Sequence, residues 1–188
     1  MVFKLSQTLG EGTLKQYRAI ISKSIPRTVN SKILDIGCGN GAFSDFFECN
    51  YFGVDINPAY IEAASERYKG AFFVSDSSVL AFNDDTFDQT VSIAVFHHLS
   101  DQQVLETIAE GLRVCKPGGY FHIVEAIYPR ACWNLLKHGI FAADRGRHQR
   151  HYEELLEVVA SRFEVKSSYF STGFPHDTCY IRVKNSIV

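Results

Sequence analysis

A glycine-rich loop and two acids that follow it along the chain are the residues best suited to ligand binding or catalysis. The loop, Gly-Cys-Gly-Asn-Gly at 37–41, comes directly after the apolar run 32–36. Glycines let a backbone turn sharply and approach a ligand closely. Asp55 ends the next apolar run, where an acid in a doubly wound sheet reaches ribose hydroxyls, and Asp76 follows the third run. The pattern predicts a ligand site built from the ends of three strands.

The elements that must position these residues alternate along the chain, because short apolar runs alternate with helical periods. Alternating strands and helices imply parallel pairing, whereas two final strands that follow each other closely can only pair antiparallel. We therefore predict an α/β fold, a single doubly wound Rossmann-like domain over 1–188 with a mostly parallel sheet and a C-terminal antiparallel hairpin. The predicted strands are 32–36, 52–55, 71–74, 87–95, 120–125, 163–170 and 178–183, and the predicted helices are 11–24, 58–68, 101–112, 153–161 and one opened by the glycine loop, with free N–H groups.

The composition fits one globular domain without a strong global charge. The chain has 188 residues, of which 46% are hydrophobic and 21% charged, and a formal net charge of -2. We expect no nucleic-acid partner and no stable membrane insertion on this basis. Five cysteines without a C-x-x-C spacing disfavour a disulfide framework. With no signal-peptide stretch in the sequence, we expect a cytoplasmic protein.

The glycine loop and the two acids belong to a series of longer motifs that follow one another along the chain. In this order and spacing the chain resembles the class I S-adenosylmethionine-dependent methyltransferase family, of the small-molecule, methyltransferase type 11-like kind, strongly over 32–125. The motifs are the run 34–41, Gly53-Val54-Asp55-Ile56, Ser75-Asp76-Ser77, Phe87-Asp88, Phe96-His97-His98-Leu99 and the run 112–119.

The resemblance implies S-adenosylmethionine as cofactor and S-adenosylhomocysteine as product. Asp35 and the glycine loop would hold the methionine part, Asp55 would bind the ribose hydroxyls, and Ile56 would pack on the adenine. Asp76 would accept a hydrogen bond from the adenine amino group. The implied cofactor-binding residues are Asp35, Gly37, Cys38, Gly39, Asp55, Ile56, Asp76, Ser77, Ile93 and Ala94, with Tyr17 on the first helix as a further contact or as a core residue.

The acids also bear on the choice of cofactor. S-Adenosylmethionine carries an ammonium and a sulfonium but no pyrophosphate, and nearby carboxylates would repel the phosphates of a dinucleotide. Gly37, Gly39 and Ala42 nevertheless satisfy the G-x-G-x-x-G/A pattern, so an NAD-dependent oxidoreductase stays an alternative. A methyltransferase-like regulatory protein that binds cofactor without turnover is a second alternative. A nucleic-acid N6-amine methyltransferase is disfavoured, because 94–97 reads Ala-Val-Phe-His rather than Asn/Asp-Pro-Pro-Tyr/Phe.

Three titratable side chains follow the fourth and fifth strands and are the candidate catalytic residues. They are His97, His98 and Glu125. Methyl transfer needs mainly proximity and alignment, and an oxygen acceptor often also needs a general base such as histidine. Either histidine could instead be structural, and Glu125 could orient the substrate or cap the turn that follows it. Adjacent histidines have poor spacing for metal ligation, so we predict no metal.

The segment 126–151 fits neither the strand nor the helix pattern, and long insertions of this kind often form lids. Its cationic part is predicted to bind an anionic acceptor through arginine contacts. The other interpretation is a solvated charged segment paired with the glutamates that follow it. We expect transfer to an oxygen, nitrogen or carboxylate of a small-molecule or lipid/sugar-conjugate acceptor, and the oligomeric state stays open. The residues assigned to acceptor binding are Arg145, Arg147, His148 and Arg150.

Overall fold

The described part of the chain alternates strands and helices. The computed structural model describes residues 11–26, 28–47, 49–129, 147–173 and 176–185. Two short 3₁₀ helices span Ser44–Phe46 and Phe96–His98. The helices are α1 (Glu11–Ser24), α2 (Pro58–Arg67), α3 (Asp101–Arg113) and α4 (Tyr152–Ala160), and the strands are β1 (Lys32–Ile36), β2 (Asn50–Asp55), β3 (Ala71–Val74), β4 (Phe87–Ile93), β5 (Cys115–Ile127), β6 (Val165–Ser171) and β7 (Asp177–Lys184).

The strands form one seven-stranded sheet in the order β3-β2-β1-β4-β5-β7-β6. Strands β1 to β5 pair in parallel, and β7 runs antiparallel to both β5 and β6. This topology confirms the predicted α/β fold with its antiparallel C-terminal hairpin. The strand order reverses between β1 and β4, and ligands of doubly wound sheets bind in the crevice at that reversal, beyond the carboxyl ends of the strands.

The two faces of the sheet pack against different helices. Successive side chains of a strand point to opposite faces, so Ile33 and Leu34 belong to separate hydrophobic cores. The Ile33 core includes Tyr17 of α1, whereas the Leu34 core includes Ile108 of α3 and Leu155 of α4. This layering places α1 over the face of the sheet that also carries the side chain of Asp35, two residues along β1 from Ile33.

Local capping explains where two of the helices begin. The Asn57 side chain accepts a hydrogen bond from the backbone N–H of Ala59 (3.0 Å), with Pro58 at the first position of α2. Ser100 and Gln103 form a reciprocal capping box at the start of α3. Both caps lie just beyond the carboxyl ends of strands, so they fix the loops that line the ligand edge.

Two predictions of local structure are wrong. The helix expected after the glycine loop is one three-residue 3₁₀ helix, because Gly37, Gly39 and Gly41 all adopt left-handed φ values, 81°, 54° and 78°. The turn expected at 116–119 belongs to β5, which begins at Cys115. The fifth strand also runs to Ile127, two residues into the predicted insertion, and residues 130–146 lie outside the described part.

Within the residue ranges that the structure describes, no helix combines the length and the apolarity that crossing a membrane requires.

Candidate active site

The glycine loop is tied to β2 by its own backbone. The N–H groups of Gly37 and Cys38 both donate to the carbonyl of Val54, at 2.8 and 2.9 Å. The N–H of Gly39 donates to Asp55 Oδ2 at 2.9 Å. These three amides therefore have protein acceptors and do not form the free anion-binding nest that a dinucleotide phosphate would need.

Glycine at 37 is required for two reasons. Its φ of 81° is a conformation that other residues rarely adopt. A Cβ there would also lie 2.5 Å from the Cγ2 atom of Val95, at the end of β4. The loop thus packs directly against the neighbouring strand's exit, which brings the two loops together at the sheet edge.

Asp55 is oriented by two backbone N–H groups. Besides Gly39, the N–H of Asn57 donates to its Oδ1 at 2.9 Å. A carboxylate can accept further hydrogen bonds at each oxygen, so the fixed group keeps capacity for ribose hydroxyls. The next side chain, Ile56, is 69% exposed, and so offers an apolar surface beside the acid.

Asp35 is the buried acid of the edge. Its carboxyl accepts a hydrogen bond from the Tyr51 hydroxyl at 2.6 Å through Oδ2, while Oδ1 is buried without a partner in the described part of the chain. Burial raises the pKa of Asp35 to about 7, against the lowering effect of the Tyr51 hydrogen bond. A buried acceptor left without a partner is costly, and a cationic ligand would relieve it. The unpartnered acceptor of Asp35 therefore fits a cationic group such as the ammonium of S-adenosylmethionine.

Asp76 and Ser77 follow β3 at the same edge. Asp76 Oδ1 accepts from the backbone N–H and the hydroxyl of Ser78, at 2.9 and 2.8 Å, and these bonds hold its pKa below the usual value. The Ser77 hydroxyl lies 2.9 Å from that of Thr107 on α3. The Ser77 side chain is thereby turned to α3, which leaves its backbone for the adenine contact that the resemblance implies.

The exit of β4 completes the predicted cofactor edge. Ile93 is the last residue of the strand, and Ala94 has a left-handed φ of 57° with its N–H donating to Val124 at 2.9 Å. This kink turns the chain out of the sheet above β1. The structure thus brings Asp35, Asp55, Asp76 and the Ile93–Ala94 backbone to the carboxyl edge of the sheet. Their contacts with a cofactor remain predictions.

Cys38 and Tyr17 are both part of the packed interior. Burial raises the pKa of the Cys38 thiol far above its usual range, which makes it a poor nucleophile. Its sulfur sits over Gly53, where a Cβ would lie only 2.8 Å away. Tyr17 is 1% exposed and packs edge-on against Phe43. A cofactor contact by Tyr17 stays a prediction beside this core role.

The 3₁₀ helix Phe96–His98, which we call the histidine turn, carries the candidate bases. His97 is buried and its Nδ1 lies 2.7 Å from Glu125 Oε1. His98 is exposed, with its ring centroid 4.0 Å from that of His97. Over the described ranges, no group of three or more His, Cys, Asp or Glu side chains is placed to hold a metal ion.

Glu125 caps the entrance of the histidine turn. Its Oε2 accepts from the backbone N–H groups of Val95 (2.9 Å) and Phe96 (2.6 Å), and its Oε1 also accepts from Ala126 (2.9 Å). Burial is the largest influence and would raise the pKa of Glu125, but the neighbouring imidazole and these N–H groups together lower it. The turn that Glu125 caps precedes it in the chain, so it is not the following turn that the sequence predicted; orientation of the substrate by Glu125 stays a prediction, and the structure adds the pairing with His97.

The cationic residues assigned to the acceptor separate into three groups. Arg145 lies outside the described residues, whereas Arg147 and His148 are exposed beside the histidine turn, with the His148 N–H donating to the His97 carbonyl at 2.9 Å. Arg150 instead uses all three guanidinium nitrogens on protein acceptors. It pairs with Asp101 rather than with the glutamates of α4, so direct binding of an acceptor by Arg150 would require breaking these bonds.

Sequence reasoning missed two residues that shape the site. Tyr51 pairs with Ile33 in the sheet and reaches Asp35 diagonally, and Thr107 anchors Ser77 from α3. Cross-strand register would have revealed Tyr51, since diagonal neighbours on one face are in reach of long side chains. No local motif marks either residue.

Comparison with known proteins supports the predicted family. A family model described as Methyltransferase domain matches residues 34–123, just under half of the chain, and this stretch contains the acidic edge (Asp35, Asp55 and Asp76) and the histidine turn. The match supports the class I S-adenosylmethionine-dependent methyltransferase family that the sequence resembles. A SAM-dependent methyltransferase structure from Methanosarcina mazei shares the fold, with a TM-score of 0.67 and 24% identity over 88% of this chain and 96% of that one.

The curated proteins that are similar to this chain differ in what they modify. It is 36% identical to the tRNA (carboxymethyluridine(34)-5-O)-methyltransferase of Arabidopsis thaliana over 104 residues, which cover 54% of this chain and 25% of that protein. It is 31% identical to the phthiotriol/phenolphthiotriol dimycocerosates methyltransferase of Mycobacterium tuberculosis strain H37Rv over 98 residues, 48% of this chain and 36% of that protein. The chain thus spans about a quarter to a third of the length of these relatives.

Proposed function

We propose that this chain binds S-adenosylmethionine along the carboxyl edge of β1 to β4 and transfers its methyl group to a small-molecule or lipid/sugar-conjugate acceptor. The observation that supports this most is the polarity of the edge. The amides of Gly37, Cys38 and Gly39 point to protein acceptors, while the carboxylates of Asp35 and Asp55 remain for a cationic ligand. A dinucleotide, with its anionic pyrophosphate, would meet the opposite arrangement.

Each residue of the edge has a distinct part in this proposal. Asp35 would face the ammonium of the methionine moiety, Asp55 would accept from the ribose hydroxyls, and exposed Ile56 would cover the adenine. When bound, the cofactor supplies a methyl group on a sulfonium, a leaving group that needs no further activation. The protein's task is then to align an acceptor atom with that methyl group.

For an oxygen acceptor, we assign the general base to His97. Its ring would take the proton that the acceptor hydroxyl releases as the new carbon–oxygen bond forms. The Glu125 carboxylate, 2.7 Å from Nδ1, would orient the ring and stabilise the imidazolium. A carboxylate acceptor is already ionised and would not use this base.

The acceptor itself is proposed to carry an anionic group. Arg147 and His148 are exposed, and the His148 N–H is bonded to the carbonyl of His97, so the backbone of this segment runs beside the turn that carries the candidate base. Arginine recognises carboxylate and phosphate through paired hydrogen bonds. A tRNA nucleoside is a second candidate acceptor, supported by the 36% identity to the plant tRNA enzyme.

Calorimetric titration tests the cofactor. Wild-type protein is titrated with S-adenosylmethionine, S-adenosylhomocysteine and NAD, and the titrations are repeated on Asp55→Asn. The matched control is Asp45→Asn, an exposed acid on the 3₁₀ helix after the loop. We expect binding of the first two ligands, weakened in Asp55→Asn and retained in the control. Preference for NAD, or equal loss in both variants, would refute the assignment.

Methyl transfer is then tested with S-adenosylmethionine that is tritiated on the methyl group. Cell extract is divided into a small-molecule fraction, a lipid fraction and bulk tRNA, and each fraction is incubated with wild type and with His97→Gln. Label in the first or second fraction, lost in the variant, supports the proposal. Label in tRNA alone would select the second candidate, and binding without any label would favour the regulatory alternative.

A further inference from the structure

The histidine turn is held at both of its ends by side chains from distant parts of the chain. A short 3₁₀ helix leaves N–H groups at its start and carbonyls at its end without partners of its own. Glu125 takes the N–H groups of Val95 and Phe96 at the start. The end of the turn needs an equivalent donor, and Arg150 supplies it.

Arg150 binds one carbonyl just beyond the end of the histidine turn, Leu99 O, and one at its start, Phe96 O, which also accepts the turn's own bond from the Leu99 N–H at 3.1 Å. One terminal nitrogen donates to Phe96 O at 2.8 Å, and the other donates to Leu99 O at 2.7 Å. The Arg150 side chain is only 10% exposed, whereas that of its acidic partner Asp101 is 66% exposed. Because exposed ion pairs contribute little, the carbonyl contacts rather than the Asp101 pair give this arginine its structural effect.

The backbone around Arg150 closes the same unit. The carbonyl of Arg150 accepts from Tyr128 at 3.0 Å, just beyond β5, and the N–H of His148 donates to the carbonyl of His97 at 2.9 Å. The guanidinium also donates to His148 O at 2.9 Å. The histidine turn that carries His97 is thus bonded to Glu125 of β5 on one side and to the segment of His148 and Arg150 on the other.

We propose that Arg150 is a positioning residue that, opposite Glu125, fixes the histidine turn so that His97 keeps one ring orientation and one tautomer. This role rests on the proposed function only in taking His97 as the base. It replaces the sequence-based assignment of Arg150 to the acceptor. The planar guanidinium is essential to it, because one side chain must reach several carbonyls in different directions, which a lysine ammonium on its flexible stem does not reproduce.

The test measures His97 directly and needs no acceptor. The ring nitrogens of ¹⁵N-histidine-labelled full-length protein are observed by NMR, and His97→Gln assigns the signals. The variants are Arg150→Gln and Arg150→Lys, and the matched control is Arg162→Gln, an exposed arginine after α4. S-Adenosylhomocysteine affinity and the free energy of unfolding are measured on every variant.

The expected result is that both Arg150 variants convert a single His97 tautomer into an exchanging mixture, while Arg162→Gln does not. Affinity for S-adenosylhomocysteine should stay within about threefold, since the acidic edge is separate from these bonds. Once an acceptor is known, kcat should fall by about 10- to 100-fold at nearly constant KM for the cofactor.

Three results would overturn the role. Unchanged His97 signals in Arg150→Gln would show that the turn does not depend on the arginine. Full rescue by lysine would show that charge alone matters. Parallel loss of cofactor affinity and of folding stability would reveal a general structural effect. Failure of the proposed function looks different, because wild-type protein would then not bind S-adenosylhomocysteine at all.

Discussion

The acidic edge and the histidine turn meet above the same sheet but are held in different ways. Around the glycine loop, Gly39 bonds to an acid only 16 positions further along the chain. In the histidine turn, Phe96 bonds to Glu125, 29 positions away, and to Arg150, 54 positions away. The edge therefore depends on local backbone conformation, whereas the turn depends on long-range side-chain contacts.

This difference predicts which substitutions damage which function. A change in backbone freedom should harm the acidic edge and leave His97 in place. A change in a remote side chain should disturb His97 and leave the affinity for the cofactor unchanged. Substitutions that fail to separate these two readouts would show that the edge and the turn form one cooperative unit.

The largest effect is expected for Gly37→Ala. Its added Cβ would lie 2.5 Å from Val95 Cγ2 at a φ of 81°, so the loop must shift away from β4. We expect at least a 100-fold loss of S-adenosylhomocysteine affinity and a loss of about 1–3 kcal/mol in the free energy of unfolding.

Gly39→Ala is the matched control for that substitution. Gly39 also has a left-handed φ, 54°, but an added Cβ there would meet no heavy atom of the described residues within 4 Å. Backbone strain alone should then cost about 1–2 kcal/mol, with a smaller loss of affinity. Calorimetry and denaturant titration measure both quantities. Equal losses in the two variants would contradict the proposed packing of Gly37 on Val95.

A smaller and complementary effect is expected for Glu125→Gln. The neutral amide can still accept from a backbone N–H, but it no longer stabilises a protonated His97 at 2.7 Å. With the acceptor that becomes labelled in the methyl-transfer assay, we expect kcat to be about 100-fold lower than in wild type. We expect the affinity for the cofactor to stay close to that of wild type. The control is Glu157→Gln, an exposed glutamate on α4. A loss of cofactor affinity as large as the loss of kcat would mean that the turn supports the acidic edge as well.

The same contrast explains what the sequence could predict. The alternation of strands and helices, the mostly parallel sheet with its final hairpin, and the acids at three strand ends follow from periodicity and motif spacing, which are local signals. The missing helix after the loop is a failure of a local rule, because three left-handed glycines come directly before the phenylalanines at 43, 46 and 47, whose spacing looks helical.

The sequence could not predict the proposed role of Arg150, and the reason is different. A cationic run predicts an anionic ligand equally well whether the partner is a substrate or a set of backbone carbonyls. Only the fold places Phe96 O and Leu99 O beside the guanidinium. Tyr51 is similar, since its contact with Asp35 depends on the register between β1 and β2, which no motif encodes.

The last predicted effect concerns pH and lies wholly within the acidic edge. Burial raises the pKa of Asp35 to about 7 from an ordinary value of 3.8. The folded protein therefore holds one more proton than the unfolded chain between about pH 4 and pH 7, and this group's contribution to stability is lost as pH rises through that window. Asp35→Asn should flatten this slope in denaturant titrations, whereas Asp45→Asn should not.

Cofactor binding should show the opposite pH dependence at the same carboxyl. An ammonium beside Asp35 favours the ionised form, so affinity for S-adenosylhomocysteine should fall below about pH 7, by at most about tenfold per pH unit. In Asp35→Asn, affinity should be weaker at pH 8 and nearly independent of pH from 5.5 to 8, because nothing at that position titrates. Calorimetry across this range measures it. A pH dependence that survives in Asp35→Asn would assign the titration to another group and remove Asp35 from contact with the methionine moiety.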